Sequence, residues 1–134
     1  MTMVPLRDIL LVGSGGFLGA VLRYGMSGMV QRLNPFETFP FGTLAVNLAG
    51  CLMIGLLGGL IELRGVLTPE ARIFLLIGLL GGFTTFSTFG YDAINLLRGG
   101  DHLRAFAYVG VHLIAGLGAV WLGLVAARSI AGTP

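Results

Sequence analysis

Four runs of apolar residues divide the chain, at about residues 9–30, 42–61, 73–91 and 105–127, and clusters of polar, Gly and Pro residues separate them. Each run supplies the roughly 20 residues that an α-helix, rising about 1.5 Å per residue, needs to cross the hydrocarbon core of a bilayer. Three of the runs carry no Asp, Glu, Lys or Arg, and only Arg23 interrupts the first. A helix bundle in water needs a polar face on every helix, and runs of this kind offer none. The pattern predicts an all-α membrane protein with four transmembrane helices and one domain spanning residues 1–134.

The connectors carry helix stop and start chemistry. Asn34-Pro35 and Pro40 interrupt the chain between the first two spans. Thr68-Pro69-Glu70 places a capping hydroxyl before a proline suited to a first helical position. Gly99-Gly100-Asp101 reads as a helix stop followed by a new N-cap. The first span is too long for a secretory leader and is expected to be retained. The third span is irregular, because Gly81-Gly82-Phe83-Thr84-Thr85-Phe86-Ser87-Thr88-Phe89-Gly90 concentrates glycine and hydroxyl side chains at membrane depth. Glycine weakens a helix and Ser/Thr side chains compete for its backbone, so the third helix is expected to break between Gly81 and Thr85. Such a break frees carbonyl oxygens and needs protein around it. The spacings Gly15/Gly19, Gly55/Gly59 and Gly78/Gly82 predict close helix packing.

Composition agrees with a lipid environment: 55% of the 134 residues are apolar and 10% charged, against about 25% charged in soluble domains. Mean hydropathy is +0.92. The net charge of +2 comes from arginines scattered singly, without the clustered basic face of a nucleic-acid binder. Lone Cys51 excludes an internal disulfide and reads as a packing residue. With four spans, Arg7, Arg64, Arg72 and Arg128 fall on the side of the termini, and Arg32, Arg98 and Arg104 on the other, with Arg23 nearer that second end. The positive-inside rule therefore selects neither orientation. Either a partner or insertase sets the topology, or the chain inserts both ways and pairs antiparallel. Four short helices enclose little, so a polar pathway calls for two copies.

Polar groups at membrane depth are functional candidates. Here they are Arg23, Asn47, the hydroxyls of the third span, Tyr108 and His112. Thr43, Asn47 and Cys51 share one face of the second span, and Tyr108 and His112 one face of the fourth. Asn47 is either an interhelical tie or a ligand donor. Arg23, about 10 Å from the end of its span, either snorkels or forms an anion-attracting vestibule. Phe83, Phe86 and Phe89 lie three apart on one face, an ordinary packing pattern. An enzyme is not indicated: Gly13-Ser14-Gly15-Gly16-Phe17-Leu18 lacks the final glycine and the preceding strand of a dinucleotide loop, and no nucleophile and base pair lies within the spans. Asp92 and Glu62 fall at span ends, which argues against a proton-coupled exporter. Neutral donors, electropositive ring edges and a distant cation together suit a small anion.

At these residues the chain resembles the Fluc (CrcB) family of small bacterial fluoride channels over nearly its whole length. Three segments carry the resemblance: Gly16-Phe17-Leu18-Gly19-Ala20-Val21-Leu22-Arg23-Tyr24, Gly42-Thr43-Leu44-Ala45-Val46-Asn47-Leu48-Ala49-Gly50, and Gly78-Leu79-Leu80-Gly81-Gly82-Phe83-Thr84-Thr85-Phe86-Ser87-Thr88-Phe89. The resemblance implies a dual-topology antiparallel homodimer with two pores in the bacterial inner membrane. It implies that Asn47 donates to fluoride, that Phe86 and Phe89 present ring edges, and that Ser87, Thr88 and Tyr108 continue a polar track. Arg23 would stand in the vestibule. Gly81 and Thr84 would offer backbone carbonyls, two from each copy, to a central sodium ion that is structural and not transported. His112 stands where the family pattern leads one to expect a smaller hydroxyl residue. The implied activity is passive leakage of fluoride out of the cell, relieving the toxicity of fluoride that enters as HF. The rivals are a small dual-topology multidrug exporter, which would need an acidic residue in the first span, and a non-transporting membrane subunit.

Overall fold

The computed structural model describes residues 4–34 and 38–132. Pro35, one of the predicted breakers, lies outside them. Four helical spans are long and apolar enough to cross a membrane: α1 (Leu6–Leu33), α2 (Phe41–Arg64), a third span Pro69–Arg98 in two halves, and the last helix, His102–Ala131. The halves of the third span are α3 (residues 69–83) and α4 (Phe86–Arg98), so the last helix is α5. Each helix runs a few residues past its apolar stretch.

The predicted punctuation is present. Pro40 stands immediately before α2. Thr68 accepts a hydrogen bond from the Ala71 N–H at 3.3 Å with Pro69 in the first turn, and Asp101 accepts from the Arg104 N–H at 3.3 Å to start α5. The tight reversal before Asp101 uses Gly100 at φ +80°, a conformation that glycine adopts without a Cβ penalty. Arg7 pairs with Glu70, and the Arg64 guanidinium donates to the Ala131 carbonyl at 2.6 Å. Arg104 donates to Thr38 Oγ1 at 2.6 Å. The first two contacts lie at the end of the bundle that holds Arg7, Arg64, Arg72 and Arg128, and the third at the opposite end.

Two helix pairs form the body of the molecule. α1 packs along α3, and α2 along α5, while α4 leans on α5. The glycine spacings mark both seams. A Cβ placed on Gly15 would stand 2.5 Å from the Phe74 carbonyl oxygen and 2.9 Å from the Leu79 nitrogen, and one on Gly82 would stand 2.5 Å from the Gly16 carbonyl oxygen. Backbone meets backbone there, which is the contact that small residues permit between membrane helices. The α2/α5 seam closes in the same way around Gly55 and Gly123, and Gly59 makes room there for the Ala127 side chain. Large apolar side chains such as Leu10, Phe17, Val21, Leu113, Leu117 and Trp121 face outward, as expected where lipid is the solvent.

Within α3, residues Ile73–Leu80 form a π-helical run, a wide geometry that is rare and concentrates at functional sites. It leads into the closing turn Gly81–Phe83 and then into the break. The break falls at Thr84 and Thr85, both in extended conformation, with ψ 159° and ψ 111°. It therefore lies at the C-terminal end of the predicted interval, and Gly81 itself is still helical.

Candidate functional site

The helical ladder of α3 ends when the Thr84 N–H and its Oγ1 both donate to the Leu80 carbonyl at 3.0 Å. The next amide, Thr85 N–H, turns away and donates to Asn47 Oδ1 at 2.8 Å, while Asn47 Nδ2 donates to the Thr85 carbonyl at 3.0 Å. One side-chain amide on α2 thus satisfies both backbone groups of a buried residue at the break, as a span interrupted at membrane depth requires. The Gly81 carbonyl consequently lacks the i+4 donor that a continuous helix would give it. Arg23 Nη1, reaching from α1, donates to the Thr84 carbonyl at 3.5 Å.

Chain direction resumes in α4, capped by Thr85, whose Oγ1 accepts from the Thr88 N–H at 3.2 Å and donates to Thr88 Oγ1 at 3.0 Å. Ser87 Oγ lies 3.4 Å from the same hydroxyl. Gly81, Phe86, Ser87 and Thr88 are exposed in the single chain, Phe86 at 83%. The N–H groups of Phe86 and Ser87 open the first turn of α4, where the helix has no acceptors for them. The positive end of the α4 dipole lies there as well.

Aromatic rings gather behind the break. Phe86 and Phe89 stand 5.5 Å apart between centroids, and Phe89 packs on His112 at 4.5 Å and on Tyr108 at 5.6 Å. Tyr108 is fully buried, at 0% exposure. Its hydroxyl donates to Asp92 Oδ2 at 3.2 Å, and Thr43 Oγ1 donates to the same oxygen at 2.8 Å.

Two cavities meet at Thr85. A cleft of about 920 Å³ among α1, α2 and α4 is lined by Arg23, Ser27, Thr43, Thr88, Asp92 and Asn95, among others. A second cavity of about 400 Å³ holds Asn47, Gly81, Thr84, Phe86, Phe89 and His112 in its wall, with Cys51 beside them. The residues singled out in the sequence therefore come together around one backbone break but divide between two chambers. Arg23 and Thr88 open into the first, and Asn47, Gly81, Thr84, Phe86 and Phe89 into the second. Ser87 and Tyr108 line neither chamber: Ser87 is exposed next to Thr85, and Tyr108 is buried against Asp92.

Asp92 corrects the sequence reading. It lies within α4, half-buried among Thr43 and Tyr108, and not at a span end, because the helix continues to Arg98. The spacing Thr88, Asp92, Asn95 on one helical face was the available signal. Thr85, the hinge of the site, was visible only as one hydroxyl in a run.

Residues 10–124 match the family model described as CrcB-like protein, Camphor Resistance (CrcB). A protein of Nitratidesulfovibrio vulgaris named fluoride-specific ion channel FluC is 43% identical over 125 residues, covering 93% of this chain and 100% of its own length. FluC 1 of Methanosarcina acetivorans is 46% identical over 123 residues, 92% of each chain. FluC of Chlorobium chlorochromatii is 45% identical over 124 residues, 92% of this chain and 95% of its own. The broken third span, the glycine seams and these matches along nearly the entire length establish the chain as a multi-pass membrane protein that belongs to the CrcB family.

Proposed function

We propose that this chain is a fluoride-specific channel that lets fluoride leave the cytoplasm passively across the cell (inner) membrane, acting as an antiparallel homodimer of dual topology with two pores. The observation that carries the reading is the interrupted backbone at membrane depth, with its hydroxyls and the start of α4 uncovered on the surface of one copy. Irregular backbone facing lipid is not tolerated, so protein must cover it. A second copy inserted in the opposite orientation meets that need, and the balanced arginine count allows it.

The chemistry of the uncovered groups suits an anion. The α4 N-terminus presents N–H groups and a positive dipole end, Ser87 and Thr88 add hydroxyls, and Phe86 and Phe89 line the second cavity, where their ring edges, which carry partial positive charge, would meet the anion. Asn47 braces the break and lines the same chamber. Arg23 raises anion concentration at the mouth of the first cleft. Tyr108, tied to Asp92, continues the polar line between chambers. Small, strongly hydrated fluoride exchanges its water for these donors.

The backbone oxygens at the break fit a structural sodium ion. Gly81 has a carbonyl without its helical donor, and the Thr84 carbonyl has two lone pairs, of which Arg23 takes one at long range. Two such oxygens from each of two copies would give a hard cation the oxygen ligands it prefers. The ion would supply charge that ties the two copies together and would not travel.

The test is fluoride release from vesicles containing purified protein, with Phe86→Ile beside the wild type. Ile keeps the bulk but removes the ring edge. Wild-type vesicles should empty, and the variant should lose at least about 90% of the rate while still running as a dimer on gel filtration. Undiminished release by Phe86→Ile would overturn the ring-edge pathway.

A further inference from the structure

His112 is the member of this site whose chemistry the pathway above leaves unused. It lies one helical turn after Tyr108 and lines the second cavity. Its Nδ1 sits 3.1 Å from the Tyr108 carbonyl oxygen. A carbonyl only accepts, so Nδ1 carries the proton, and in the neutral ring Nε2 is left as an acceptor. Nε2 lies 3.3 Å from Asn47 Nδ2. The orientation of the Asn47 amide is fixed independently, because its oxygen must accept from the Thr85 N–H and its nitrogen must donate to the Thr85 carbonyl. Asn47 thus has two amide hydrogens and two acceptors for them, Thr85 O and His112 Nε2. With a neutral imidazole, neither hydrogen is available to an anion.

Protonation inverts this arrangement. An imidazolium has N–H at both nitrogens, so Nε2 stops accepting and faces the Asn47 N–H as donor against donor. We propose that His112 is a proton-operated anion ligand: when it takes a proton from the aqueous mouth, it releases the second Asn47 amide hydrogen and adds its own Nε2–H, so that two donors beside the Phe89 ring hold fluoride in the second cavity. The site rests on the fluoride-channel reading and deepens it. The surroundings leave His112 as the group that changes charge. From α2 it meets Asn47 and from α4 Phe89; Cys51, Phe86, the α3 residues Leu76, Leu80 and Gly81, and Thr84 at the break share the cavity wall, and of all these only the weakly acidic thiol can change charge. Asp92 is the nearest carboxylate in the network and is occupied by Thr43 and Tyr108. Arg23 is engaged with the Thr84 carbonyl.

The experiment measures initial fluoride release from vesicles at matched internal and external pH, from 7.5 to 5.5, with protein-free vesicles subtracted. The wild-type rate should rise severalfold towards pH 5.5, because the protonated fraction of His112 grows as the pH falls. His112→Gln, which keeps a neutral donor and acceptor, should stay within about twofold across the range. Parallel profiles in the two proteins would overturn the proposal. A binding readout stands apart from transport: histidine NMR of the full chain in micelles, with His102 as internal reference. Added sodium fluoride should move the His112 titration to higher pH and leave His102 in place, since an anion that prefers the protonated ring must favour protonation in return. A His112 titration indifferent to fluoride would refute the site. Wild-type vesicles that release no fluoride at any pH would instead remove the channel reading, with the NMR titration still deciding whether His112 binds the anion.

Discussion

Replacing Asn47 by Ala removes the clamp on the broken span while leaving the apolar surface of α2 otherwise intact. Two short bonds disappear, at 2.8 and 3.0 Å, both to the backbone of Thr85. Thr85 is only 8% exposed, so its N–H and carbonyl lose their partners in a largely buried setting. An orphaned buried donor or acceptor costs about 1–3 kcal/mol, which puts the combined loss at about 2–6 kcal/mol. Against a typical folding free energy of about 5–15 kcal/mol for a domain, that is a large fraction. The loss is measured by reversible unfolding of wild type and Asn47→Ala from mixed micelles, followed by helix circular dichroism. The midpoint should shift by the equivalent of at least about 2 kcal/mol, and fluoride release should fall with it. A change under about 0.5 kcal/mol, the size of an ordinary surface substitution, would refute the idea that this amide holds the break.

Further outcomes follow from the seams and the polar network. Gly15→Ala puts a methyl against the Phe74 and Leu79 backbone; helix backbones cannot step aside as a flexible side chain can, so destabilisation of about 1–3 kcal/mol is expected, whereas Gly13→Ala, inside the same helix with open space around it, should be neutral or stabilising by up to about 1 kcal/mol in the same unfolding assay. Tyr108→Phe deletes one of the two hydroxyls that donate to Asp92 Oδ2 and should cost about 1.5–3 kcal/mol, the range for a hydrogen bond to a charged group, while leaving the ring stack on Phe39, Phe89 and His112 in place. Replacing sodium with N-methylglucamine should weaken the dimer, seen as monomer on gel filtration at dilutions where the sodium form stays paired.

The architecture was legible because lipid imposes a simple code. Runs such as Gly42 to Ile61 admit one reading, and Thr68-Pro69 and Gly100-Asp101 mark helix starts by local bonds that need no tertiary partner. The break was legible for the same reason, since Gly81 to Thr88 weakens a helix through its own residues. Other features depend on contacts distant in sequence. Asn47 was recognisable as a buried amide, but its partner lies 38 residues away at Thr85, and nothing local distinguishes a backbone clamp from a ligand donor. Asp92 was misplaced because hydropathy ends the third span at Tyr91; Thr43 and Tyr108, brought in by α2 and α5, make a carboxylate acceptable inside the protein. The π-helical run Ile73–Leu80 has no signature in its uniformly apolar sequence. The glycine spacings announced close packing, and only the folded chain pairs Gly15 with Gly78 and Gly55 with Gly123.

The central claim, a halide-sized pathway built at the broken span, meets its most direct test in paired ion-selective electrodes reading fluoride and chloride release from the same vesicles reconstituted with the wild-type chain. The account predicts rapid loss of fluoride from the protein-containing vesicles with chloride retained. Fluoride held as tightly as in protein-free vesicles, or chloride escaping at the same rate, would contradict it.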